Sequence, residues 1–270
     1  MSHAHDNSAG SPIALAFVEA RRTGHALKAY PGRQPGTLDD AYALQDDAIA
    51  AWPDRIAGWK LGRIHAPQDA RFGAGRLAGP IFSRNVWTAA TTPTRFGVID
   101  GGFAAVEAEY VLELGAAAPD HDGWTAETVE PLVGRVFTGV EIAGSPFAGI
   151  NDHGPAVTAS DFGNNAGLIL GTEIPGWQDN LSGLICTMTI EGILVGRGGA
   201  TAIPGGPLDS LAFLLNLLHR RGRRLEAGQL ISTGAATGVH DILAGQAAAA
   251  DFGPHGRIDC LAVPATGAPL

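Results

Sequence analysis

Ala104–Leu114 reads AAVEAEYVLEL, and how this stretch is taken decides the fold around it. It is a short apolar run interrupted only by Glu107, Glu109 and Glu113, which fall two and four residues apart, and it reads as a strand. Glu107 and Glu109 stand two residues apart, so a strand places both carboxylates on one face, within a few ångströms of each other. Two such carboxylates repel when half-buried, and a bound cation removes that cost. Oxygen donors suit magnesium, manganese or calcium. The alternative is a half-exposed strand with a polar outer face, which Glu113 also fits.

Outward from this stretch the chain keeps the same character. Short apolar segments alternate with Gly, Pro and Asp at Gly58–Leu61, Val133–Ile142, Leu168–Gly171, Leu184–Ile190, Gly192–Val195, Gln229–Thr233 and Arg257–Val263, and these read as strands. With 38 glycines, 17 prolines and only 17% charged residues, the composition is that of a turn-rich β protein rather than a helical bundle. Helical spacing is confined to three places. Ile13–Thr23 is the first. Leu38–Trp52 is the second, with Thr37 as N-cap and Asp39 and Asp40 in its first turn. Pro207–Arg220 is the third, with Gly222 placed to cap its end. No repeat or strong linker is visible, so residues 1–55 read as a tail and helical arm joined to a single β-rich unit, 56–270.

The net charge of −9 has the wrong sign for sequence-independent binding to nucleic acid. The one basic cluster, Arg220, Arg221, Arg223 and Arg224, reads as a charged helix C-terminus. Cys186 and Cys260 stand alone in apolar stretches and read as buried thiols of a reducing compartment. No run is long enough to span a bilayer, and the opening MSHAHDNSAGSP has no signal pattern. The expectation is a cytoplasmic protein with a disordered tail, in which His3 and His5 have no dedicated role.

Two further residues strengthen the metal reading of Glu107 and Glu109. Glu141, in Val140-Glu141-Ile142, can supply a third oxygen from a neighbouring strand, although a lone surface glutamate at a strand end reads the same way. Lys60 lies in the glycine-flanked Gly58-Trp59-Lys60-Leu61-Gly62, where a metal and apolar walls would lower its pKa and suit it to carry a proton. A snorkelling surface lysine is the alternative.

Taken in order, these segments resemble the 2-oxopent-4-enoate (2-hydroxypentadienoate) hydratases of the fumarylacetoacetate hydrolase superfamily. The matching set is Gly58–Gly62, Val106–Glu109, Val140–Ile142, Asp161-Phe162-Gly163-Asn164-Asn165-Ala166-Gly167, Gly206-Pro207-Leu208, Ala227-Gly228 and Ser232-Thr233-Gly234. It covers nearly the whole chain. The resemblance implies an α+β fold, a mixed β-roll or flattened-barrel core with N-terminal helices and one long helix packed outside. It implies Mg2+ or Mn2+ held by Glu107, Glu109 and Glu141, with Lys60 and Asp161 as catalytic residues. The Leu61 backbone N–H and the Thr233 hydroxyl would hold the substrate, and Gly199–Gly206 would close over the site. The implied assembly is a homo-oligomer acting on a small 2-oxo acid, with no nucleic-acid or membrane partner.

The implied reaction is hydration of a 2-hydroxy-2,4-dienoate to a 4-hydroxy-2-oxo acid. Lys60 would move the enol proton to the far end of the diene, and Asp161 would orient water. One departure stands out. The family carries an acid some way after the lysine, whereas Arg76-Leu77-Ala78-Gly79-Pro80-Ile81-Phe82 has none, and Arg63, Arg76 and Arg84 appear nearby. Those arginines either bind a second substrate carboxylate or are surface charge. Decarboxylation of a 2-oxo-3-enedioate is therefore the nearest alternative. An acylpyruvate-type hydrolase fits less well, because no His-x-x-Glu pair is present. A non-catalytic partner is disfavoured by Lys60 together with three glutamates. A nicotinamide or flavin enzyme lacks its glycine fingerprint.

Overall fold

The computed structural model describes residues 10–266. The tail expectation, with His3 and His5, falls mainly outside them. Among these residues there are six α-helices: α1 (Pro12–Thr23), α2 (Leu38–Ala51), α3 (Gln68–Phe72), α4 (Ala126–Val129), α5 (Pro155–Ser160) and α6 (Gly206–Arg220). The strands are β1 (Ile56–Arg63), β2 (Arg76–Phe82), β3 (Val86–Thr88), β4 (Thr94–Val98), β5 (Phe103–Leu114), β6 (Val133–Ser145), β7 (Asn165–Glu173), β8 (Ile185–Ile190), β9 (Ile193–Gly199), β10 (Leu230–Ser232), β11 (His240–Asp241), β12 (Ala247–Asp251) and β13 (Arg257–Pro264). All eight expected strands and all three expected helices form. The sequence reading missed β2, β3, β4, β11 and β12 and the three short helices.

The strands build two sheets. The larger runs β2-β1-β10-β5-β6-β7-β3, with β11 added to β5, and the smaller runs β4-β13-β12-β8-β9. Both are mixed: β1 pairs β10, β3 pairs β7 and β4 pairs β13 in parallel, and the other ladders are antiparallel. The fold is thus α+β with a curled mixed β core and helices outside, as the resemblance implied. Between the sheets, Tyr110 on β5 meets Phe252, just past β12, edge-on at 5.8 Å. Both faces of β5 are covered, so the half-exposed alternative for this strand does not hold.

Close packing explains the first glycine of Gly58–Gly62. A Cβ at Gly58 would lie 2.1 Å from the Leu230 carbonyl oxygen, so only glycine lets β1 approach β10. α2 begins as expected, with the Thr37 side chain accepting from the Asp40 N–H. The arginines after α6 do more than complement its dipole. Arg221 lies over the rings of Tyr42 (4.3 Å) and Trp59 (5.4 Å) and donates to Gln45 and Asp46, which Arg223 also grips. They tie the end of α6 to α2. Cys186 and Cys260 are buried free thiols, as expected. Among the described residues no helix is long and apolar enough to cross a membrane.

Candidate metal centre

Strand register brings the acids together. β5 and β6 pair with Glu107 directly opposite Glu141, and Glu109, two residues on, faces the same way. On the other side of β5, Ser232 of β10 donates its hydroxyl to Glu109 Oε2 at 2.6 Å, and the Gly234 N–H donates to the same oxygen at 2.9 Å. β1 lies next to β10 and carries Lys60 in register with Ser232. Lys60 Nζ stands 3.3 Å from Glu141 Oε1 and donates to Asn164 Oδ1 at 3.0 Å. β7 opens with Asn165, whose amide donates to Glu141 Oε1 at 3.0 Å. Five adjacent strands therefore contribute to one patch of the larger sheet.

The three glutamates are buried, and each offers an oxygen within 4.8 Å of the others. Glu109 Oε1 and Glu141 Oε2 are buried with no hydrogen-bond partner. Orphans of this kind are rare in folded proteins and call for a missing ligand. Three buried carboxylates facing one ammonium also leave an excess of negative charge. A divalent cation would answer both, and an all-oxygen donor set suits magnesium or manganese. These residues could hold such an ion.

Burial pushes the Glu107 carboxyl up to about 8, with the Glu141 charge adding to the rise and Lys60 opposing it. Glu109 is raised well above the ordinary carboxylate range, first by burial, then by Glu141 and Glu107. Lys60 was expected to have a lowered pKa beside a bound metal; in the metal-free protein it is held the other way. Burial is the largest influence and pulls its pKa down, but attraction to Glu141, Glu107 and Glu109 outweighs it, so the ammonium is held above its ordinary value. The group rests as a proton donor.

The carboxylate shift has a consequence for stability. Between about pH 4.5 and 8, metal-free folded protein holds a Glu107 proton that the unfolded chain releases. Stability contributed by that proton is full below this window and is lost as pH rises through it. Chelator-treated protein should therefore melt lower at pH 8 than at pH 5, and Mn2+ should raise the melting temperature more at pH 8. An equal Mn2+ effect at both pH values would contradict this.

Glu107, Lys60 and Asn164 of this patch line a cavity of about 750 Å³ together with Leu61, Arg63 and Thr233. Ala202, Ile203 and Pro204, within the Gly199–Gly206 run, border it as well. Thr233 spends its hydroxyl hydrogen on the Tyr110 carbonyl at 2.7 Å, so toward the cavity it can only accept. Arg63 and Arg197 also line the cavity, and both are exposed. Arg76 also lines the cavity, but its guanidinium is held by Asp209 and the Pro204 carbonyl. Arg84 is exposed outside the lining, its N–H on Asp54.

Asp161 is not brought to this cavity. Arg21 of α1 takes both its carboxylate oxygens, at 2.6 and 2.9 Å, and Ser145 donates to one of them at 2.6 Å. The backbone turns after Asp161, so that Asn164 and not the acid meets Lys60. Asn164, Asn165, Ser232, Arg21 and Arg197 were not singled out from the sequence. The first three lie inside the quoted motifs, whereas nothing local marks Arg21 or Arg197.

No family model matches the chain. A curated relative, the 2-keto-4-pentenoate hydratase of Paraburkholderia phymatum, is 34% identical over 79 residues, which is 29% of this chain and 30% of that enzyme. The match thus spans under a third of the relative's length. The structure of 4-oxalocrotonate decarboxylase from Pseudomonas putida G7, complexed with magnesium and adipate, superposes with a TM-score of 0.79 at 22% identity, covering 93% of this chain and 96% of that one. Fumarylpyruvate hydrolase from Pseudomonas aeruginosa, in complex with Mn2+ and pyruvate, gives a TM-score of 0.58 at 15% identity, covering 79% and 91%. Identities this low carry the fold rather than the reaction. What these likenesses establish is the fold: this chain shares the architecture of the 4-oxalocrotonate decarboxylase structure over nearly its whole length.

Proposed function

We propose that this chain is a divalent-metal-dependent lyase of small 2-oxo acids and that it removes CO2 from a 2-oxo-3-enedioate. One observation carries the reading: three buried glutamates with oxygens within 4.8 Å of one another, and Lys60 3.3 Å from Glu141, with Glu107 and Lys60 lining a cavity. A divalent cation held by Glu107, Glu109 and Glu141 would supply a Lewis acid for the 2-oxygen and the adjacent carboxylate. Solved structures of the same fold hold Mn2+ with pyruvate, a 2-oxo acid, and magnesium with adipate, a dicarboxylate.

The chain's own residues supply the rest. When the bond to the distal carboxylate breaks, its electron pair moves through the conjugated system toward the 2-oxygen and CO2 leaves. Lys60, protonated at rest and aimed by Asn164, delivers a proton to the resulting dienolate. Arg63 and Arg197 in the lining offer planar forks for the distal carboxylate. Both are exposed, so each contributes about 0–1 kcal/mol, which is enough to orient the substrate but not to hold it alone.

Water addition to a 2-hydroxy-2,4-dienoate is the second reading, supported by the partial match to the pentenoate hydratase. The same centre would serve it, with Lys60 delivering a proton to the far carbon before water adds. It is placed second because Asp161, expected to orient that water, lies outside the cavity and is engaged by Arg21, and Asp152, the lining acid besides Glu107, is exposed. Assays with Mn2+ separate the two. CO2 release from a 2-oxo-3-enedioate supports decarboxylation, and loss of dienol absorbance without CO2 moves the reading to hydration. Inertness toward both substrates sinks the lyase.

A further inference from the structure

We infer that Arg21, on the N-terminal helix, is a positioning residue for this centre: it brackets a left-handed turn whose two asparagine amides aim Lys60 and Glu141. The backbone is the first sign. Phe162, Gly163 and Asn164 have φ of 52°, 61° and 57°, three left-handed residues in succession. L-residues avoid this region, and a bulky aromatic there is a marked exception. Such segments persist only where their surroundings over-determine them, and they gather at functional sites.

Arg21 is the main restraint. Its Nε and Nη2 hold the two carboxylate oxygens of Asp161 at the start of the turn. Its Nη1 donates to the Asn165 carbonyl at the end of the turn at 2.9 Å, and Nη2 also reaches the Gly144 carbonyl on β6 at 2.8 Å. One planar fork thus grips both ends of the turn and the strand that carries Glu141, which a lysine with a single nitrogen cannot reproduce. The Phe162 ring is fixed by Phe82 at 5.0 Å, by Trp52 at 5.6 Å and by the Arg21 guanidinium at 5.2 Å. Beneath it, a Cβ at Gly79 would lie 1.9 Å from the Phe162 carbonyl oxygen, so the turn rests directly on β2.

The turn delivers two amides whose orientations chemistry dictates. Lys60 can only donate, so Asn164 must show it the amide oxygen, at 3.0 Å. Asn165 shows Glu141 Oε1 its NH2 group, also at 3.0 Å, and so donates to that oxygen. Asn164 is tied once more, through its NH2, to Asn151. Arg21 is not among the residues lining the cavity, so any influence on the reaction passes through these two asparagines.

The inference rests on the metal-centre reading, and Mn2+ calorimetry separates the two. Arg21→Met alone strands the buried Asp161 carboxylate and should lower the melting temperature. Adding Asp161→Asn removes that charge and should restore most of the stability. The double variant should still bind Mn2+ about 10–100-fold more weakly, the usual cost of losing a group that orients a ligand. Its kcat should fall by a similar factor with a smaller change in KM, and amide exchange over residues 162–166 of the metal-free protein should quicken. Arg21→Lys should be intermediate, and adding Asn165→Ala to the double variant should cost little further affinity. A stable double variant that binds Mn2+ within about twofold of wild type overturns the bracket and leaves the metal centre standing. Wild-type protein that takes up no Mn2+ removes both.

Discussion

Replacing Lys60 by methionine is expected to lower turnover by about 10²–10⁴-fold, the usual range for a lost proton carrier, while the divalent cation stays bound. Methionine keeps the length and apolar stem of the side chain, which is 4% exposed, so the substitution removes charge and protons with little loss of packing. Among the described residues the ammonium is the only cationic group paired with Glu141. Its removal leaves the three carboxylates with less compensation in the metal-free protein, so Mn2+ affinity should hold or rise. Steady-state rates and Mn2+ calorimetry on one preparation read both effects. A methionine variant turning over within about tenfold of wild type would show that the proton travels by another route.

Glu109→Gln should separate stability from function. Glu109 Oε2 accepts from Ser232 and Gly234, and a glutamine oxygen can keep both contacts. The substitution puts a neutral amide where burial, Glu141 and Glu107 already oppose ionisation of the carboxyl, so folding no longer has to take up or hold a proton there. Metal-free protein should become more stable, by about 2–4 °C in melting temperature for each kcal/mol gained in a chain of this size. Mn2+ affinity should fall at least about 100-fold, beyond the 10–100-fold cost of losing a supporting group, and turnover should fall with it. A lower melting temperature with unchanged Mn2+ binding would mean that Glu109 is a structural acid held by Ser232.

Much of this was legible because alternation is a local signal. Glu107 and Glu109 share a face by the geometry of any strand, and the long apolar strand around Glu141 needed only to pair beside it. What escaped depends on partners distant in the chain. Ala247–Asp251 is written AAAAD, and alanine favours helix, yet β12 is held between β8 and β13 with Ala248 opposite both Ile190 and Cys260. Arg76–Phe82 contains Gly79 and Pro80, which argue against a strand, but β2 lies at the sheet edge, where proline is tolerated. Asp161 had the expected residue type and the wrong direction. Its partner, Arg21, lies 140 residues earlier, and the left-handed turn that follows gives its place beside Lys60 to Asn164. The protonated state of Lys60 was likewise invisible in Gly58–Gly62, because it depends on three acids from other strands.

The most direct test of the central claim is an anomalous-difference map from crystals soaked in Mn2+. The account predicts one strong peak per chain, touching Glu107, Glu109 and Glu141 and satisfying Glu109 Oε1 and Glu141 Oε2, the two oxygens that lack partners. Ordered crystals showing no density among these glutamates, or a peak held by other residues, would contradict it.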